Sequence, residues 1–192
     1  MMRSMEMVFR IMTGALLMAA FAVHAAPNPP YACSYWDKQT DSVETLDECA
    51  VLKDGKLVFL PALFAKTHDV DGMSWVGLHD YNRAAGIQDT DYYVRSAHEY
   101  LSVMHFDNGP DWFVEGLVRS TQNGKVGYWD DTFRNRIAAR YDYASQFEGG
   151  KALVCIGCKP QREGEHIALS GGEWYYIDKS GQRVSEIKSG PF

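Results

Sequence analysis

Asn123-Gly124-Lys125-Val126-Gly127-Tyr128-Trp129-Asp130 opens a segment that reads as β-structure from end to end. A polar turn follows, then Arg140-Tyr141-Asp142-Tyr143-Ala144, then Phe147-Glu148-Gly149-Gly150-Lys151-Ala152-Leu153-Val154. Asn-Gly ahead of a glycine- and aromatic-rich run predicts a tight hairpin turn, because both residues accept positive φ at little cost. An extended run, a compact turn from Tyr141 to Phe147 and a second extended run make residues 123–154 one strand-turn-strand unit.

The same grammar recurs on either side. Asp54-Gly55 predicts a hairpin between Ala50-Val51-Leu52 and Leu57-Val58-Phe59-Leu60, and Asp71-Gly72 precedes the apolar run Met73 to Leu78. Asp107-Asn108-Gly109-Pro110 predicts a turn joining Tyr92–Phe106 to Trp112–Arg119 in one long hairpin. A helix over Ser96–Met104 competes there, since Ala97, Tyr100, Leu101 and Met104 fall at helical spacing. Residues 79–91 read as loop. A short helix is expected over Ser42–Cys49, capped by Asp41 or Ser42.

Three glycine turns share a pattern. Asp54-Gly55-Lys56-Leu57-Val58-Phe59 parallels Asn123-Gly124-Lys125-Val126-Gly127-Tyr128, and Gly171-Gly172-Glu173-Trp174-Tyr175-Tyr176-Ile177-Asp178 parallels both. The second halves correspond as well, Gly72-Met73-Ser74-Trp75-Val76 against Gly150-Lys151-Ala152-Leu153-Val154. A lone hairpin is marginal in water, so each copy must bury its aromatic face on a neighbour. Tyr128, Trp129, Tyr141, Phe147, Trp174, Tyr176 and Ile177 are expected to fill those contacts as core, rather than to form a ligand platform.

Residues 124–154, together with Trp174-Tyr175-Tyr176-Ile177-Asp178-Lys179-Ser180-Gly181-Gln182-Arg183-Val184, resemble the bacterial WG repeat. Tyr141-Asp142-Tyr143-Ala144-Ser145-Gln146-Phe147 and Gly150-Lys151-Ala152-Leu153-Val154 match the later part of that unit, Tyr-Asp-x-Ala-x-x-Phe then Gly-x-Ala-x-Val. The naming dipeptide departs from the pattern, as Val126-Gly127 in one copy and Trp174-Tyr175 in the other. The resemblance implies a β-rich repeat module of envelope or secreted proteins. It carries no catalytic residues.

The first residues are a processing segment. Arg3 and Arg10 give a positive start, Ile11 to Val23 is apolar, and Val23-His24-Ala25 closes the run with small residues. That layout predicts a signal peptide over residues 1–25, cleaved near Ala25. The run is shorter than the roughly 20 apolar residues of a spanning helix, so no transmembrane segment is expected after cleavage. Losing Arg3, Arg10 and Glu6 takes the formal net charge from −6 to −7. An acidic chain without basic runs excludes nucleic acid as the natural partner.

Four cysteines, Cys33, Cys49, Cys155 and Cys158, lie in the mature part. An even count in an exported chain predicts two disulfides. Of three possible pairings, proximity in sequence favours Cys33–Cys49 with Cys155–Cys158. Cys155-Ile156-Gly157-Cys158 is the one motif with chemical promise, yet it follows a strand-like run and leads to Lys159-Pro160 and a charged loop. No helix N-terminus is predicted there to lower a thiolate pKa, so a structural staple is expected over a redox centre. As a zinc site it offers Cys155, Cys158 and His166 without a fourth ligand. His98-Glu99 and His105 miss the metalloprotease spacing, and Asp69-Val70-Asp71-Gly72 lacks the later ligands of a calcium loop.

The expectation is therefore a mainly β chain of antiparallel hairpin and meander repeats with short helical turns. It comprises a signal peptide (1–25), a disulfide-closed N-terminal segment (26–50) and a β-rich repeat domain (51–192). The expected role is a non-enzymatic binding or scaffolding module, periplasmic or secreted, contacting an envelope protein or a glycan, with no cofactor and no metal. The alternative is an envelope enzyme, either a thiol-disulfide oxidoreductase using Cys155 and Cys158 or a hydrolase of envelope polymers.

Overall fold

The structure, a computed structural model, describes residues 30–79, 91–163 and 166–186. The expected signal peptide, and the 79–91 loop apart from its two end residues, lie outside the described residues. The chain is mainly antiparallel β.

The first half is a six-stranded sheet in the order β3-β2-β1-β4-β5-β6. Its strands are β1 (Tyr31–Asp37), β2 (Ser42–Lys53), β3 (Lys56–Phe59), β4 (Ser74–His79), β5 (Asp91–Val94) and β6 (Tyr100–Val103). Strict alternation sets its faces, since successive residues of a strand point to opposite sides. Tyr31, Cys33 and Tyr35 of β1 and Val76 and Leu78 of β4 point inward and are buried. Phe59 packs edge-on against Tyr92 and Tyr100, with ring centroids 5.8 and 5.4 Å away. The amide of Phe59 donates to the carbonyl of Ala97 at 3.0 Å, drawing the β3 edge toward the β5–β6 turn. The sheet thereby curls around its own core. A one-turn helix α1 (Pro61–Phe64) adds Leu63, fully buried, to that core, with proline in its first turn where no amide partner is lost.

The second half comprises a three-stranded sheet, β11-β10-β9, and a four-stranded sheet, β12-β13-β16-β17. The strands are β9 (Leu117–Gln122), β10 (Lys125–Asp130), β11 (Asn135–Tyr141), β12 (Tyr143–Ala144), β13 (Lys151–Ile156), β16 (Glu173–Asp178) and β17 (Arg183–Glu186). Two small hairpins, β7 (His105–Phe106) with β8 (Gly109–Pro110) and β14 (Lys159–Glu163) with β15 (His166–Ser170), complete the set. Tyr128, Tyr141, Phe147, Val154 and Ile177 share one core. Trp174 packs instead on Leu153 and the Cys155–Cys158 pair with Tyr176 beside it, and Trp129 joins Leu101, Val103 and Val118. Of the seven aromatic and aliphatic residues expected in repeat contacts, Trp129 and Tyr176 are half-buried and the other five are buried.

Two local devices recur. A two-residue turn with both φ positive precedes β4, β9 and β13: Asp71-Gly72, Glu115-Gly116 and Gly149-Gly150. Each is closed by a reciprocal backbone pair, Val70 with Met73, Val114 with Leu117, and Glu148 with Lys151. After β10, Asp130 Oδ1 accepts from Thr132 N, Thr132 Oγ1 and Arg134 N. After β16, Asp178 Oδ1 accepts from Ser180 N, Ser180 Oγ and Gln182 N in the same way.

Several expectations are corrected. Ser42–Cys49 is strand, not helix: β2 pairs with β1 on one side and β3 on the other, and the Cys33–Cys49 link pins it. Tyr92–Phe106 is neither one long strand nor a helix. It folds back on itself, with Asp91 opposite Val103 and Val94 opposite Tyr100, while β9 pairs with β10. The polar turn after Asp130 contains a full strand, β11, paired with β10. The charged loop after Cys158 is the β14–β15 hairpin.

Candidate functional site

The outward face of the curled sheet carries Ser34 and Trp36 from β1, Trp75, Gly77 and His79 from β4, and Asp91 and Tyr93 from β5. Period-two alternation puts these residues on the side opposite the core. Residues 68–73, the β7–β8 hairpin, the stretch Trp112–Gly116 and Asp131 rise around this face and enclose a groove of about 860 Å³. Trp36, Val43, Val70, Met73, Trp75, Tyr93, Pro110, Trp112 and Phe113 supply its apolar lining; Asp71, Asp107, Asn108, Asp131, Arg95 and His68 supply polar groups. Four of the seven large hydrophobic side chains exposed among the described residues converge here: Trp36 at 42%, Val43 at 51%, Val70 at 57% and Trp112 at 51%.

The hydrogen-bonding ends of three lining rings are already engaged by the protein. Trp36 Nε1 donates to Asp41 Oδ1 at 2.9 Å, and Trp75 Nε1 to Asp91 Oδ1 at 2.7 Å. Tyr93 Oη donates to the carbonyl of Asp111 at 3.1 Å. Burial, with the carboxylates of Asp111 and Asp91 adding to it, pushes the Tyr93 phenol up to about 12, so it stays a donor at any physiological pH. Gly77 makes room for the Trp75 ring, because a Cβ there would stand 3.1 Å from it. Buried Asp91 is held from a second side by His105 Nδ1 at 2.8 Å. The polar ends of these three rings are thus held by the protein itself.

Beneath the groove lies a buried ion pair. Arg119 Nε and Nη2 donate to Asp111 Oδ2 and Oδ1 at 2.9 and 2.7 Å, and the amide of Arg119 donates to Oδ2 at 2.9 Å. Gln146 Nε2 donates to Asp111 Oδ1 at 2.7 Å, and Arg119 Nη1 donates to the carbonyl of Ala144 at 3.0 Å. Every oxygen of the fully buried Asp111 carboxylate is thus satisfied, which a buried charge requires.

The cysteines lie elsewhere. Cys33 and Cys49 stand with Cα atoms 6.0 Å apart, and Cys155 and Cys158 6.1 Å apart, within the range a disulfide spans. Cys155 is fully buried and Cys158 nearly so, under Leu153 and Trp174. Gly172 lies so close that a Cβ there would fall 2.8 Å from Cys155 Sγ. Among the described residues no group of three His, Cys, Asp or Glu side chains gathers in metal-binding reach. No described helix is long and apolar enough to cross a membrane.

The groove was not foreseen from sequence. Trp36 and Trp112 sit in β1 and just before Phe113, outside the segments that carry the repeat pattern, and Trp75 of β4 falls within one of them. The available signal was Trp36 and Trp112 among polar turn residues, where a core tryptophan has little to pack on. Compared with protein-family models, with curated proteins and with solved structures, the chain finds no match.

Proposed function

We propose that this protein is an exported, non-enzymatic binding or scaffolding module of the bacterial envelope. Its groove, bordered by Trp36, Trp75 and Trp112, holds a protein or glycan partner. One observation carries this reading: the gathering of Trp36, Val43, Val70 and Trp112 into a single exposed patch above rigidly supported rings. Clustered apolar exposure of this kind marks an interaction surface, whereas scattered exposure does not. Two cysteine pairs at disulfide distance are compatible with a compartment outside the cytosol.

The strands are read as degenerate WG-type repeats. Support comes from the matching turns before β4, β9 and β13 and from the identical aspartate-capped loops after β10 and β16. The glycine of Val126-Gly127 has its own reason, since a Cβ at Gly127 would meet Ala139 N and Ile137 O at 2.6 Å. Cys155–Cys158 is read as a staple: its burial and the absence of a helix behind it disfavour thiolate exchange. A hydrolase reading has one observation in its favour, Ser34 Oγ at 2.8 Å from His79 Nε2, the spacing of a hydroxyl and its base.

The test is recovery from envelope extract by the immobilised mature chain, wild type against a Trp36→Ala/Trp112→Ala variant. A saturable partner should be recovered by the wild type and depleted about tenfold by the variant, as for loss of aromatic hot spots. Equal recovery by both would remove the groove from the account. Release of soluble fragments from cell-wall material, abolished by Ser34→Ala, would favour the hydrolase.

A further inference from the structure

We infer that the groove's occupant is a cationic peptide segment of a protein partner, its Lys or Arg side chains laid against the tryptophan faces. This rests on reading the groove as the binding face and specifies the chemistry it selects.

Three features of the groove point the same way. First, the indole N–H groups of Trp36 and Trp75 and the phenol O–H of Tyr93 donate within the protein, so what these rings have left for a ligand is their π systems and not hydrogen-bond donors. A ring face attracts cations through its quadrupole. Second, the lining holds three carboxylates, Asp71, Asp107 and Asp131, against one guanidinium, Arg95, and none of the three carboxylates has an ion-pair partner among the described residues. Covering them with an uncharged ligand would cost their solvation without returning a counter-charge. A polyanionic envelope polymer would be repelled outright. Third, the protein sets its own cations on rings both beside the groove and away from it: Arg95 lies 5.1 Å from the Phe133 centroid and Arg119 4.9 Å from that of Phe106, and Arg140 and Arg183 stand over Tyr141 and Tyr175. An incoming Lys or Arg would repeat that arrangement on Trp36 or Trp112. About 860 Å³ is ample for several side chains.

The experiment uses three labelled probes with the mature chain: tetra-arginine, tetra-glutamate and the neutral sugar chitotetraose. Binding is followed by fluorescence anisotropy at two salt concentrations. Tetra-arginine should bind, weaken as salt rises, and lose about tenfold in affinity in Trp112→Ala. That variant leaves net charge unchanged, so attraction to an acidic surface in general would not register it. Asp131→Asn should weaken binding and flatten its salt dependence. Trp112 and Asp131 are exposed, so circular dichroism should report both variants as folded. Chitotetraose binding without tetra-arginine binding would overturn the cationic inference and leave the groove as a glycan site. Tetra-arginine binding that Trp112→Ala does not alter, or binding by none of the probes, would also overturn it. The envelope-extract comparison would then report whether the groove binds anything.

Discussion

Gly124 and Gly127 stand three residues apart around one hairpin and are glycine for different reasons. Gly124 sits at φ +71° with open space where a Cβ would go, so only backbone conformation demands it. Gly127 lies against the backbone of β11, and any side chain would collide with Ala139 and Ile137. Gly124→Val should cost about 1–2 kcal/mol, the left-handed penalty of a side chain, while Gly124→Asn should cost less because Asn tolerates that region. Gly127→Ala should cost about 1–3 kcal/mol through overpacking, and Asn there should be no rescue. Thermal melts of the four variants check the contrast; an unchanged Tm in Gly124→Val would contradict the hairpin. Neighbours Asp111 and Trp112 divide in the same manner. Asp111→Ala strands buried Arg119 and should cost about 3–5 kcal/mol in denaturant unfolding. Trp112→Ala, at a half-exposed site, should cost about 1 kcal/mol or less.

At the scale of the elements, carboxylates clamp the turns. Lys125, with the amide of Gly157 assisting, holds the Asp142 carboxyl below the usual range. Ser180, with the amides of Gln182 and Ser180, does the same for Asp178, and the amides of Gln39 and Thr40 do so for Asp37. A carboxyl with a lower pKa folded than unfolded contributes stability above its unfolded value and loses it as pH falls through the folded one. Tm should therefore hold from neutrality to about pH 5 and drop below about pH 4, where ordinary carboxylates take up protons. Asp178→Asn should melt lower than wild type at pH 7 and converge with it at the acid end. A constant gap between the two at every pH would contradict the clamp. A different set of turns, the two-residue ones with positive φ, was the most legible in the sequence. Asp54-Gly55, Asp71-Gly72 and Asn123-Gly124 all bend as their chemistry demands. β2 and β11 were not legible: Ser42–Cys49 is largely exposed and polar, and Asn135–Tyr141 alternates too weakly. Both are strands because neighbours supply the hydrogen bonds. The turn at Glu115-Gly116 escaped notice because no Asn or Asp announces it.

Across the whole molecule, contacts distant in sequence tie the halves together. Tyr93 Oη donates to the carbonyl of Asp111, Arg95 Nη2 to that of Asp131 and the amide of Met104 to that of Arg119, while Leu101 and Val103 of β6 pack on Val118 of β9. The Cys33–Cys49 link joins β1, the strand that carries Trp36, to β2. Cys33→Ser/Cys49→Ser should lower stability by about 3 kcal/mol, read as a shift in denaturant midpoint against wild type. The groove itself could not be read from sequence. Its walls come from residues 36, 75, 93 and 112, and only the order β1-β4-β5 with β7–β8 alongside brings them to one face. Hydrogen–deuterium exchange of the mature chain with and without saturating tetra-arginine tests the central claim most directly. Slowed exchange confined to residues 36–43, 68–75, 93–95, 107–116 and 131 is the expected result; slowing elsewhere, or none, would contradict the groove as the working surface of this protein.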